Sequence, residues 1–131
     1  MAPLTDDTVQ VRFLASPINP ADVNQVQGAY PLKPAFEQLG DAKAAVGGNE
    51  GVAEVIATGK NVNSLKVGDQ VVMARSGYGT WRTHAAGPAD DFQLLPSSTN
   101  TSVIQKATLT VNPCTAYRML KDFTPLNPGK P

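Results

Sequence analysis

The 131 residues are short of the two side chains from which metal and thiol sites are usually built, cysteine and histidine. There is one cysteine, Cys114, and one histidine, His84, so neither an intramolecular disulfide nor the Cys/His ligand set of a typical structural zinc site can be assembled. The two fall in different segments, and no Ser-His-Asp or Cys-His arrangement suggests itself; a lone, buried Cys114 and an exposed His84 are expected. There is no excess charge, with 11 basic against 11 acidic residues, and no basic block to draw nucleic acid or an anionic membrane. No apolar run approaches the ~18 residues of a membrane-spanning helix. Met1 to Asp7 is acidic rather than arginine-rich, so no targeting peptide is expected in this stretch. No G-x-G-x-x-G occurs, and with it goes the usual backbone cradle for a dinucleotide pyrophosphate. These shortages leave a metal-free, intracellular protein of one domain, close to the ~150 residues a domain usually takes.

Proline and glycine are plentiful, 11 each, which favours short strands and turns over long helices. In Thr8 to Ala15, Val9, Val11 and Phe13 alternate with Gln10 and Arg12, the period of a half-buried strand. Asn19-Pro20-Ala21-Asp22 is a helix start: a capping side chain, a proline whose φ suits the first helical position, and an acid at the positive end. Gly28 ends that helix, and Val23 and Val26, three apart, share one face expected to pack on a barrel. Ala29 to Ala45 has no clear period and reads as a loop. Val46 to Val72 reads as turn, strand, turn, strand, with Val52, Val55 and Ile56 in the first strand and Val71-Val72-Met73 in the second after the turn Lys66-Val67-Gly68-Asp69. Gly77 to Ala86 is expected to be a strand with Trp81 in the core, and Phe92 to Leu95 another, closed by Pro96-Ser97-Ser98. Asn112-Pro113 is a second helix start, with the helix continuing from Thr115 to Phe123 until Thr124-Pro125.

The pattern G-x-E-G-V, V-x-x-x-G, polar loop, K-x-G-D-x-V resembles the catalytic domain of medium-chain dehydrogenase/reductases. The resemblance implies a mostly β chain with short helices, folded as a partly open chaperonin-10-like (GroES-like) β-barrel. Zinc-dependent members have G-H-E where this chain has Gly48-Asn49-Glu50. An asparagine amide is a poor zinc ligand, so Asn49 and Glu50 are read as structural, with Glu50 accepting hydrogen bonds from turn amides.

Within that superfamily, Asn19 to Asn24, Gln27 to Pro31, Gly47 to Gly51, Gly79 to Thr83 and Val111 to Arg118 are similar to the mitochondrial 2-enoyl thioester reductases, and the long Tyr30 to Val46 stretch to the fungal type, with altered access to the pocket. The resemblance implies NADPH-dependent reduction of enoyl-CoA or enoyl-acyl-carrier-protein in mitochondrial fatty acid synthesis, in the mitochondrial matrix, by a homodimer. Leu126-Asn127-Pro128-Gly129 resembles the connection to the nucleotide-binding domain. Residues 1–131 are therefore expected to be the N-terminal part of the catalytic domain, without the nucleotide-binding domain, and inactive in isolation. Tyr30 matches the family's active-site tyrosine, a proton donor; alternatively it anchors a surface loop, and Asn24 either orients it or is simply a polar helix residue. Asn112 and Thr115 match positions that contact NADPH near the nicotinamide, and Asn112 also serves as a plain helix cap. A non-catalytic module acting by association and a quinone reductase are the alternatives.

Overall fold

In a computed structural model the described residues are 2–34, 36–97, 100–123 and 129. Along the chain run β1 (Thr8–Ala15), α1 (Pro20–Val26), β2 (Phe36–Leu39), β3 (Ala42–Ala45), β4 (Val52–Thr58), β5 (Gln70–Met73), β6 (His84–Pro88), a 3-10 turn at Ala89–Asp91, β7 (Phe92–Leu94), α2 (Val103–Ala107) and α3 (Asn112–Asp122). Five strands form one antiparallel sheet in the order β6-β1-β4-β5-β7, and β2 with β3 forms a separate hairpin. No pairing joins the edges β6 and β7 among the described residues, so the sheet stays open. The chain is mostly β with short helices, as the resemblance implies.

The apolar positions of β1, β4 and β5 converge on one core: Val9, Val11, Ala53, Val55, Val71 and Met73, closed by Leu65, Ala85 and Phe92. Fully burying a valine is worth about 1.5–3 kcal/mol, so these valines dominate the sheet's stability. Two irregularities bend the β1–β4 ladder, where register slips between Gln10 and Val11 and between Phe13 and Ala15. The N-terminal strap closes on the end of β4: a Cβ at Gly59 would stand 2.2 Å from the Thr5 carbonyl oxygen and 2.3 Å from that of Asp6.

β1 begins and ends where the alternation places it, and α1 starts at Pro20; α3 starts one residue ahead of its proline, so Asn112 lies in the first turn instead of capping it and Val111 takes the cap position. Elsewhere the folded chain departs from expectation. Phe36–Ala45 is a hairpin, not a loop; its alanines, lysine and glutamate carry no apolar period, and only the turn at Gly40, with φ +61°, marks it. The strand expected from Gly77 begins only at His84, because Gly77 and Gly79 both take positive φ and the chain from Tyr78 to Thr83 turns instead. Trp81 is 37% exposed rather than core. Val23 and Val26 face outward, Val26 with 70% exposure, and the buried positions of α1 are Asp22 and Gln25. Cys114 is exposed rather than buried, whereas His84 is exposed as expected. The stretch 124–128 and Ser98, which carry the expected helix end, interdomain connection and strand closure, lie outside the described residues.

Candidate functional site

The inner face of α1 is polar because it packs on polar partners. Asp22 and Glu50 are each 1% exposed and Asn49 is 7% exposed. Burying such groups is costly unless hydrogen bonds replace the lost water. Asp22 Oδ2 accepts from the Asn19 amide at 2.7 Å, closing the first turn of α1. Its Oδ1 accepts from the Asn49 backbone amide at 3.0 Å and from Asn49 Nδ2 at 2.6 Å. Asn49 Nδ2 also reaches Gln25 Oε1 at 3.4 Å, and Gln25 Nε2 donates to the Leu32 carbonyl at 3.0 Å.

Glu50 takes the other side of this cluster. Its Oε1 accepts from Asn19 Nδ2 at 2.8 Å; its Oε2 accepts from Thr110 Oγ1 and from the Val111 amide, both at 3.1 Å. The glycine before the pair is required by shape: Gly48 has φ +96°, and a Cβ there would meet Thr80 Oγ1 at 2.4 Å and Trp81 Cδ1 at 2.6 Å. Thr80 in turn donates its hydroxyl to the Glu50 carbonyl at 2.7 Å.

The three candidate residues sit at the ends of this cluster. Asn112 and Thr115 occupy the exposed first turn of α3, which starts one residue beyond Val111, and Thr115 Oγ1 donates to the Val111 carbonyl at 2.8 Å. Tyr30 is half-buried in the turn after α1, where its amide and that of Ala29 donate to the Asn24 carbonyl at 3.1 and 2.9 Å. Asn24 thus orients Tyr30 through its backbone, not its side chain. No hydrogen bond joins Tyr30 directly to α3 among the described residues. Alongside the Tyr30 turn, the end of α1 and the hairpin enclose a cleft of about 440 Å³ walled by Val26, Lys33, Pro34, Phe36, Ala45 and Gly47.

On the far side of the hairpin Arg82 donates to the Gly79 and Tyr78 carbonyls, pairs with Glu37 at 3.0 Å and lies over the Tyr78 ring at 5.4 Å. Burial pushes the Tyr78 phenol up to about 12; Asp91 and Glu37 add to the rise and Arg82 opposes it.

Asp22, Gln25, Asn19 and Thr110 escaped the sequence reading of the site. Polar residues on a short helix look like solvent-facing ones, and only the capping position of Asn19 three before Asp22 carried a signal. A dehydrogenase-type zinc does not fit here: Asn49 commits its amide nitrogen to Asp22 and Gln25, Glu50 already accepts from three donors, and among the described residues no three His, Cys, Asp or Glu side chains cluster to hold a metal ion.

An open antiparallel sheet with a buried Asn-Glu turn between two helix starts defines a class. Residues 5–97 match the alcohol dehydrogenase GroES-like domain, and the chain belongs to that family. It is 52% identical over 123 residues to the mitochondrial enoyl-[acyl-carrier-protein] reductase of Caenorhabditis elegans, covering 94% of this chain and 33% of that protein. It is similar to the solved mitochondrial 2-enoyl thioester reductase heterodimer from Candida tropicalis, with TM-score 0.91 and 46% identity over 98% of this chain and 38% of that one. A solved reductase complex with NADP and crotonyl-CoA superposes with TM-score 0.90 and 46% identity, over 97% of this chain and 38% of the other. The chain spans about a third of the length of the curated relatives it matches.

Proposed function

We propose that these residues are the N-terminal catalytic-domain portion of an NADPH-dependent 2-enoyl thioester reductase acting on enoyl-CoA or enoyl-acyl-carrier-protein in mitochondrial fatty acid synthesis. The observation that carries this is the agreement, over 97% of the chain, with a reductase solved with NADP and crotonyl-CoA. The surface of α3 supports the incompleteness of the fragment. None of its residues is buried, and Tyr117, Met119, Leu120 and Phe123 all lie open, Phe123 with 81% exposure, as on a helix that a further domain covers.

NADPH, when bound, supplies the hydride that reduces C3 of the substrate. Asn112 offers both donor and acceptor atoms at the start of α3, free of hydrogen bonds to the described residues, and Thr115 stands one turn further on; that face fits the carboxamide end of a nicotinamide. Tyr30 has a hydroxyl without a partner among the described residues. As C3 gains its hydride, negative charge builds on the thioester oxygen, and the phenol donates a hydrogen bond there or delivers a proton to C2. The cleft beside Tyr30 sets access for the acyl chain. The complete enzyme is a homodimer of the mitochondrial matrix; its relatives are named mitochondrial.

The test is NADPH oxidation by the complete protein with crotonyl-CoA, run beside a quinone acceptor. Turnover with the thioester is expected. Turnover with the quinone alone would move the protein to the quinone reductases, and NADPH oxidation with neither would leave a non-catalytic module.

A further inference from the structure

We propose that Glu50 is a positioning residue, whose buried carboxylate sets the start of α3, and with it Asn112 and Thr115, against the helix that leads to Tyr30. The roles of those three residues rest on the function proposed above; the geometry of Glu50 does not. Its three donors come from the starts of two elements far apart in sequence: Asn19 at the cap of α1, and Thr110 and Val111 just before α3. None of the three donors belongs to Glu50's own turn. Glu50 instead takes the Val111 amide, in the residue whose carbonyl receives both the amide and the hydroxyl of Thr115. On the α1 side the contacts continue through Asn19, Asp22, Asn49 and Gln25 to the Leu32 carbonyl, two residues beyond Tyr30. The two halves of the proposed site therefore share one buried anchor. Because α3 buries none of its own residues in this domain, its start depends on that anchor for direction.

Glu50→Gln keeps the shape and replaces one oxygen by an NH₂ group that must face a donor, either Asn19 or the Thr110–Val111 pair. Misplacing a binding group by about 1 Å costs on the order of 10²-fold in rate. In the complete protein, Glu50→Gln is expected to raise the Kd for NADPH on the order of ten-fold and to speed amide exchange in the peptide holding Val111. Adding Asn112→Ala should then weaken NADPH binding less than it does in the wild type, since the group removed is already displaced. Glu50→Asp, which keeps the charge, should restore part of the affinity. Thr110→Val removes one donor at constant shape and should shift Kd the same way by less, which decides the matter if Glu50→Gln does not fold. A variant with a lower melting temperature but wild-type NADPH affinity, or a strictly additive cycle with Asn112→Ala, makes Glu50 an ordinary structural carboxylate and overturns the proposal. Wild-type protein that does not bind NADPH removes the underlying function and this role with it, a failure visible before any variant is made.

Discussion

Replacing Tyr30 by phenylalanine keeps the ring and the backbone bonds to Asn24, so the turn survives and only the hydroxyl is lost. On the proposed function, kcat of the complete protein is expected to fall on the order of 10²-fold, about 3 kcal/mol of transition-state stabilisation, with NADPH affinity and melting temperature little changed. A near-normal kcat on crotonyl-CoA in the folded variant removes Tyr30 from the catalytic step. Gly59→Ala tests the strap: the new methyl meets two backbone carbonyls, which cannot swing away as a side chain can. A loss of about 2 kcal/mol or more, read as a melting temperature lower by ~5 °C or more, is expected. Tyr78 gives a pH signature. Its folded pKa, about 12, lies above the ordinary tyrosine value of 10.0 that holds in an unfolded chain, so the folded state binds the extra proton between them. Its contribution to stability is whole below pH ~10 and falls away as pH rises through the folded value. The difference in tyrosinate absorbance between wild type and Tyr78→Phe should therefore develop near pH 12. At this scale the sequence was legible wherever a residue's role is local: Asn19 and Pro20 start a helix by their own chemistry, and β1 follows its alternation. Asp22 and Glu50 were opaque, because their burial depends on partners 27 to 61 positions away.

The hairpin β2–β3 behaves as an element apart. Two paired strands are marginal in water on their own, and Glu37 is joined to Arg82 in a part-exposed ion pair. Such pairs are worth roughly 0–1 kcal/mol, too little to matter for the five-stranded sheet but a sizeable share of what holds a hairpin. Glu37→Gln should leave the global melting temperature within ~2 °C while residues 36–45 exchange their amides faster. A global loss of several degrees would mean that the hairpin is part of the cooperative core. The hairpin was hidden in the sequence because no face of it is strongly apolar. The turn from Tyr78 to Thr83 was misread for the opposite reason: Tyr78 and Trp81 have strand-forming side chains, and the positive φ of Gly77 and Gly79 overrides them.

For the molecule as a whole, the family fold was legible because its glycine, aspartate and valine pattern is spent on turns and sheet, whereas the course of residues 77–83 depends on packing between distant segments. On the proposed function, the 131-residue chain by itself is expected to bind NADPH weakly and to reduce no crotonyl-CoA, since its sequence holds no G-x-G-x-x-G to cradle the pyrophosphate. Measurable turnover by the isolated chain, followed through NADPH absorbance, would contradict its being a fragment of the working enzyme. The place of β1 also governs how the chain reaches its fold. β1 hydrogen-bonds on one side to β4 and on the other to β6, where Thr8 meets Pro88, roughly 80 positions away. At a synthesis rate of about 5–20 residues per second, this strand waits several seconds on the ribosome for its second neighbour. Once all strands are present, such non-local pairing places refolding in the ms-to-s range rather than that of helical bundles. During the wait Gln10 and Arg12 put polar side chains among the apolar residues of β1, which keeps it a poor template for other nascent chains.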